Sequence, residues 1–217
     1  MDHRFPAWLR ATLRKLDFIA LPNLGMLVCG LTVLGFVGQN FLGVPLERFV
    51  FDPVMFREGE WWRIFSYPAG QGLDNPIWVL LFVLYVYFVM SALETQWGTG
   101  PLTIYTLLSY LSAIGASLIA DRPLNIWYYV IENISLAFGT LFPHLELYLF
   151  FVLPVKAKWL ALLAGAVLLL QFAVGDLITK AFLAVLLFPY LLFFGPYLYG
   201  EIRAWIRRRR NRGRFGG

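Results

Sequence analysis

The chain is organised around one aromatic and charged stretch, Gly59-Glu60-Trp61-Trp62-Arg63-Ile64-Phe65-Ser66-Tyr67-Pro68. It lies between the first and second long apolar runs of the sequence, which predicts a loop at a bilayer surface. Trp and Tyr rings prefer the headgroup zone, and an arginine there extends its charge to the phosphates while its stem stays in the apolar layer. The stretch therefore predicts a membrane-interface loop in which Trp61, Trp62 and Arg63 make the contacts.

The composition of the whole chain is that of an integral membrane protein. Hydrophobic residues make up 59% of the chain, charged residues make up 14%, and the mean hydropathy is +0.67. A soluble domain of 217 residues would expose much of that apolar surface to water. The single cysteine, Cys29, excludes an intrachain disulfide. His3 and His144 are the only histidines, so we expect no metal site and no cofactor.

Six apolar runs predict an all-α membrane protein with six transmembrane helices. A helix needs roughly 20 residues to cross a bilayer. The predicted spans are 22–42, 77–93, 102–120, 124–142, 159–174 and 181–199. They form one membrane domain over residues 18–200, with an N-terminal segment, 1–17, before it, a basic tail, 201–217, after it, and a long loop, 43–76, between the first two spans.

Three of these segments carry more specific expectations. Residues 94–101 are expected to form a tight turn, and residues 145–154 a short apolar segment near the surface. The sixth span contains Pro189 and Pro196, which predict a kinked or locally unwound helix whose freed carbonyls need partners.

The distribution of basic residues predicts the orientation. With six spans, both termini share a side, and most of the 18 Lys and Arg residues lie on it. The exceptions are Arg48, Arg57, Arg63, Arg122 and Lys180. The positive-inside rule therefore places both termini in the cytoplasm and the 43–76 loop outside, and we expect a bacterial inner (plasma) membrane. The arginine-rich tail also suits anionic membrane lipids, and nothing around it favours a nucleic acid partner.

The fourth span is the least apolar of the six, because it contains Glu132 and Asn133. A carboxylate inside a span costs roughly 2.5–3.5 kcal/mol on insertion scales, so it tends to face an internal polar cavity. The alternative is a protonated or hydrogen-bonded glutamate that ties this helix to polar residues on its neighbours. The sequence leaves both interpretations open.

Several motifs follow one another in a definite order along the chain. They are the Gly-Glu-Trp-Trp-Arg loop, the Leu93-Glu94-x-x-x-Gly98 end of the second span, Phe142-Pro143, Pro154-Val155-Lys156-Ala157-Lys158-Trp159-Leu160 before the fifth span, and Tyr197-Leu198-Tyr199-Gly200. In this order they resemble the six-helix core of the rhomboid family of intramembrane serine proteases, over roughly residues 20–200.

The resemblance implies the rhomboid fold without its catalytic residues. In active members, a serine in a Gly-x-Ser-Gly stretch on the fourth helix attacks the peptide, a histidine on the sixth helix is its base, and a His–Asn pair at the second helix helps to hold the oxyanion. The corresponding positions here are Tyr128 or Tyr129 for the serine, Pro189 near the histidine, and Pro76 and Leu80 for the oxyanion pair. No histidine lies in any predicted span.

Inactive relatives, including the derlins and inactive rhomboids, bind membrane-protein clients, and by analogy we expect transmembrane client proteins as partners. A client helix would enter between the second and fifth spans. It would meet a polar pocket formed by Tyr128, Tyr129, Glu132 and Asn133.

Two alternatives belong to other functional classes. The first is an intramembrane protease with a non-standard site, in which Ser135 is the nucleophile and Glu132 its base. A serine in a membrane helix usually bonds a carbonyl of its own helix instead. The second is a pathway for a small solute or a lipid built around Glu132.

Overall fold

A computed structural model of the chain describes residues 7–66, 75–149 and 153–212. Within them the α-helices are α1 Ala7–Lys15, α2 Leu24–Phe41, α3 Pro53–Arg57, α4 Arg63–Ser66, α5 Pro76–Trp97, α6 Thr99–Ala120, α7 Ile126–Leu141, α8 Ala157–Val174 and α9 Leu177–Arg212. There are also two 3-10 helices, Asp17–Ile19 and Leu46–Arg48, and an antiparallel hairpin of β1, Glu146–Leu149, and β2, Leu153–Lys156. The remaining parts of the predicted N-terminal segment, loop and tail, including Tyr67 and Pro68, lie outside the described residues.

The prediction of a largely helical chain with long apolar helices is confirmed. Five segments are long and apolar enough to cross a membrane: Asp17–Leu42, Pro76–Trp97, Thr99–Ala120, Ala157–Val174 and Leu177–Gly200. The predicted fourth span forms α7, which has 16 residues. Such a helix is about 24 Å long, whereas the hydrocarbon core of a bilayer is about 30 Å thick. Of the six predicted spans, five therefore meet the length and composition of a membrane-crossing helix.

The long helices form an up-and-down bundle with two distinct ends. The connections α5–α6, α6–α7 and α8–α9 are short and the β-hairpin joins α7 to α8, so consecutive helices are antiparallel. One end gathers the starts of α5, α7 and α9, and residues 43–66 attach there, where the Leu124 N–H donates to the Phe51 carbonyl at 3.0 Å. We call it the loop end. The opposite end carries α1 and the β-hairpin, and we call it the hairpin end.

The centre of the bundle is the contact between α6 and α9, where small residues allow a close approach. Ser109, Ala113 and Ala116 of α6 are buried, and a Cβ added to Gly115 would lie 3.6 Å from Val185 of α9. Small side chains let two helix backbones gain packing that lipid cannot match.

The Glu-x-x-x-Gly motif joins three elements at the hairpin end. The Glu94 carboxylate accepts hydrogen bonds from the Asn23 backbone N–H, at 3.2 Å, and from the Thr99 hydroxyl, at 3.1 Å. Gly98 has a φ of 91°, which favours glycine and turns the chain from α5 into α6. The motif thus fixes the start of α2 against the α5–α6 connection.

Three local expectations are corrected. Residues 94–97 continue α5 as helix, because the reversal needs only Gly98, so the predicted turn is much shorter than 94–101. The predicted apolar segment 145–154 contains strands of a hairpin that pairs Glu146 with Lys156. Helix α9 runs unbroken through Pro189 and Pro196 to Arg212, so the local unwinding expected there is absent from this described helix.

Candidate functional site

One face of α7 carries three side chains that are only partly covered by the bundle. Tyr128, Glu132 and Ser135 recur at intervals of four and three residues, which places them above one another on a helix. Tyr128 is 65% exposed, and Glu132 and Ser135 are half-buried. We call these three residues the α7 stripe.

Glu132 is a charged residue at an unusual depth. It lies six residues beyond the start of α7, about 9 Å along the axis. In helices α2 and α5–α8 the other charged residues, Glu94 and Lys158, lie in a last or first turn. Among the described residues the ion pairs are Arg57–Asp121, Arg63–Glu60 and Lys156–Glu146, so none of them includes Glu132.

The Ser135 hydroxyl is held in two hydrogen bonds of a structural kind. It donates to the Ile131 carbonyl of its own helix at 2.6 Å and lies 2.6 Å from the Tyr85 hydroxyl of α5, which then acts as the donor. A nucleophilic serine needs a base that accepts its proton. Here the Ser135 hydroxyl donates its hydrogen bond to a carbonyl oxygen, which is not such a base, and His144, in the turn after α7, is not part of the contact.

Of the other two predicted pocket residues, Asn133 points away from the stripe. Asn133 is 1% exposed, and its Nδ2 donates to the Tyr129 carbonyl at 3.2 Å and to the Leu186 carbonyl of α9 at 3.1 Å. Leu186 lies in the turn before Pro189, which has no backbone N–H to donate. Asn133 therefore ties α7 to α9, whereas Tyr128 and Glu132 lie on the stripe.

A second contact between α7 and α9 involves Tyr129. The Tyr129 ring packs edge-to-face on Phe182 of α9, with centroids 5.5 Å apart. Pro189 lies seven residues further along α9, about 10 Å away along the axis. Tyr129, one of the two residues expected at the serine position, therefore faces Phe182 and not Pro189, and neither ring can act as a base. Pro76 and Leu80, the residues expected at the oxyanion positions, are exposed at the start of α5.

The stripe lies between α5 and α8, both of which pack on α7. On one side, Phe88 of α5 contacts Phe138 with ring centroids 5.9 Å apart. On the other side, α8 approaches closely near the hairpin end, where a Cβ on Gly139 would lie 3.0 Å from the Ala157 carbonyl and closer still to Ala161.

Helix α8 loses this packing towards the loop end. Every residue from Leu169 to Val174 is exposed, and six consecutive helical residues cover all sides of a helix. At the same end Ile77 and Trp78 of α5 are exposed as well. We call the surface between the first turns of α5, the α7 stripe and residues 169–174 the lateral opening.

The predicted interface loop divides into an exposed and a buried part. Trp61 and Trp62 are 63% and 47% exposed and stack edge-to-face, which suits a membrane interface. Arg63 is 8% exposed, and its guanidinium donates to the Glu60 carboxylate and to the carbonyls of Glu47 and Val50. Arg63 thus holds the loop together from inside instead of extending to lipid phosphates.

Sequence reasoning missed two contacts at this site. Tyr85 is one of many aromatic residues in α5, and Phe182 is one of many in α9, so neither has a local signal. Phe182 could have been identified from the sequence only if the register between α7 and α9 were known. Within the described residues no group of three or more His, Cys, Asp or Glu side chains could hold a metal ion.

No known family model, curated protein or solved structure matches this chain.

Proposed function

We propose that the chain is a non-proteolytic, rhomboid-like membrane protein that binds the transmembrane helices of client proteins at the lateral opening. In this proposal α7 is the short fourth of six transmembrane helices. Its burial among α6, α8 and α9 supports this assignment, because a helix shielded from lipid need not match the thickness of the bilayer.

The observation that carries the proposal is the position of the α7 stripe. A half-buried carboxylate and a tyrosine lie beside an α8 segment that has no packed face. Large side chains gain little against a neighbouring helix that they would not gain against lipid, so residues 169–174 can move aside at low cost. A client helix entering there would meet polar groups that lipid tails cannot satisfy.

The protease alternative is disfavoured by the bonds of Ser135. Its proton is donated to the Ile131 carbonyl, and the Tyr85 hydroxyl occupies the oxygen. The bond to the Ile131 carbonyl would have to break before Glu132 could act as a base. We therefore expect client binding without cleavage of a peptide bond.

The proposed orientation places the hairpin end in the cytoplasm of a bacterium, with the protein in the inner membrane. Lys156, Lys158 and the basic end of α9 lie at that end, as do Arg14 and Lys15 of α1. Positive charge flanking the spans on one side favours that side as the cytoplasmic one.

Site-specific photo-crosslinking tests this function. Benzoylphenylalanine is placed at Tyr128, at Leu170 of α8, or at Leu34 of α2, which is as exposed as Leu170 (67% against 68%) but lies on another helix. In vesicles with a defined single-span client, we expect crosslinks from Tyr128 and Leu170 to intact client and from Leu34 to lipid alone. Equal client capture at all three positions, or recovery of a cleaved client, would refute the proposal.

A further inference from the structure

We infer that the lateral opening selects client helices that carry a lysine or arginine in the leaflet at the loop end, with the Glu132 carboxylate as the counter-charge. This inference rests on the proposed function and names the partner chemistry of the same surface.

The first argument is that the carboxylate has no cation of its own. Each ion pair among the described residues lies outside the bundle interior, and none includes Glu132. The basic residue that precedes α7, Arg122, lies with its guanidinium carbon 5.1 Å over the Phe182 ring of α9. Arg122 is therefore engaged with an aromatic face on the α9 side.

The second argument is the cost of leaving such a group unpaired. An isolated carboxylate in hydrocarbon is unfavourable, and so is an isolated ammonium or guanidinium on a client helix. Bringing the two together removes both penalties at once, whereas a neutral polar residue would gain only a hydrogen bond. A basic client thus gains most from this surface.

The third argument is geometric. Glu132 lies about 9 Å along the axis from the start of α7. At that depth a lysine or arginine on a neighbouring helix can extend its long side chain to the carboxylate. Tyr128 lies one turn nearer the loop end and is largely exposed, and its ring meets Tyr129 edge-to-face at 5.4 Å. An aromatic face beside the carboxylate adds a second attraction for a cation.

Binding of matched single-span peptides in phosphatidylcholine vesicles tests the inference. Leu/Ala-rich peptides carry Lys, Leu or Glu about 9 Å from each end, so that either insertion direction presents the residue. We expect the Lys peptide to bind roughly tenfold more tightly than the Leu peptide. Glu132→Gln should abolish this difference, and Glu132→Lys should transfer the preference to the Glu peptide. Leu34→Gln, on helix α2, should retain the Lys preference.

The outcomes separate the inference from the proposed function. Equal binding of the Lys and Leu peptides, or a Lys preference that survives Glu132→Gln, overturns the inference and leaves client binding standing. Absence of binding by all three peptides overturns the proposed function. A lipid ammonium group is the competing source of positive charge. If phosphatidylethanolamine vesicles abolish the Lys preference, the Glu132 carboxylate binds the lipid ammonium group, and the inference of a basic client fails.

Discussion

Helices α6 and α8 are both apolar enough to cross a membrane, yet they occupy opposite surroundings. In the most apolar stretch of α6, 67% of residues are buried, whereas the value in α8 is 12%. The packed faces of α6 carry Ser109, Ser112, Ala113 and Ala116, while α8 presents Leu162, Leu163, Leu169 and Leu170 to its surroundings. Hydropathy therefore predicts insertion, but side-chain size decides which helix is packed.

The difference has a functional consequence. α6 and α9, with α7 beside them, form a frame whose parts are fixed by close approach and buried hydrogen bonds. α8 is buried at Ala157 and Leu168, but every residue from 169 to 174 is exposed, so in the proposed function this end is the element that yields to a client. The following predictions test that division, in order of decreasing effect.

The largest effect is expected at the α7–α8 contact. Gly139→Leu should lower the free energy of unfolding by about 1–3 kcal/mol, because Ala161 and the Ala157 carbonyl leave no room for a larger side chain. Gly165→Leu, in α8 itself, has open space and should cause no loss. Reversible unfolding in detergent measures both, and an equal loss in the two variants would mean that α8 is packed along its whole length.

A smaller effect is expected from two adjacent residues on different faces of α7. Asn133→Ala removes the tie to the Leu186 carbonyl and should cost about 0.6–2 kcal/mol. Glu132→Ala removes no hydrogen bond or ion pair seen among the described residues, so its unfolding free energy should not fall. The same unfolding measurement applies, and a larger loss for Glu132→Ala than for Asn133→Ala would invert our assignment of the two faces.

The smallest effect concerns the start of α9. Asp176 accepts the Thr179 backbone N–H at 2.9 Å, and the hydrogen bonds from Thr179 lower the pKa of the Asp176 carboxyl. Because the folded-state pKa lies below the unfolded one, the stabilisation is complete above the ordinary aspartate pKa and is lost as the pH falls through the folded-state pKa.

Asp176→Asn keeps an acceptor that does not titrate. We expect the wild-type melting temperature to fall slightly more than that of Asp176→Asn between about pH 5 and about pH 3. The carboxyl is exposed, so the difference should be small. If the melting temperatures of the two proteins fall equally with pH across that range, the Asp176 cap does not stabilise α9.

Much of the helical frame could be predicted because apolar runs are local signals. The spans at 102–120 and 159–174 match α6 and α8 to within three residues at each end. The helical state of residues 94–97 could not be read from a Gly- and Thr-containing stretch. It depends on Glu94 accepting bonds from Asn23 and Thr99, which only the folded chain brings together.

The candidate site was predictable in part for the same reason. Glu132 is costly in any membrane helix, so the sequence alone marks it. Whether Asn133 faces an opening or a neighbouring helix depends on how α7 is rotated against α9, and the pairing of Tyr129 with Phe182 depends on their register. Both are tertiary quantities that no single stretch encodes.

The distance between α5 and α8 tests the central claim most directly. In a Cys29→Ser background, spin labels at Leu80 of α5 and Leu170 of α8 span the lateral opening, and labels at Leu80 and Ile119 of α6 form the packed control. We predict a broad distance distribution for Leu80–Leu170 that shifts when a single-span client binds, with the Leu80–Ile119 distance unchanged. A narrow Leu80–Leu170 distance that a bound client leaves unaltered would contradict the account.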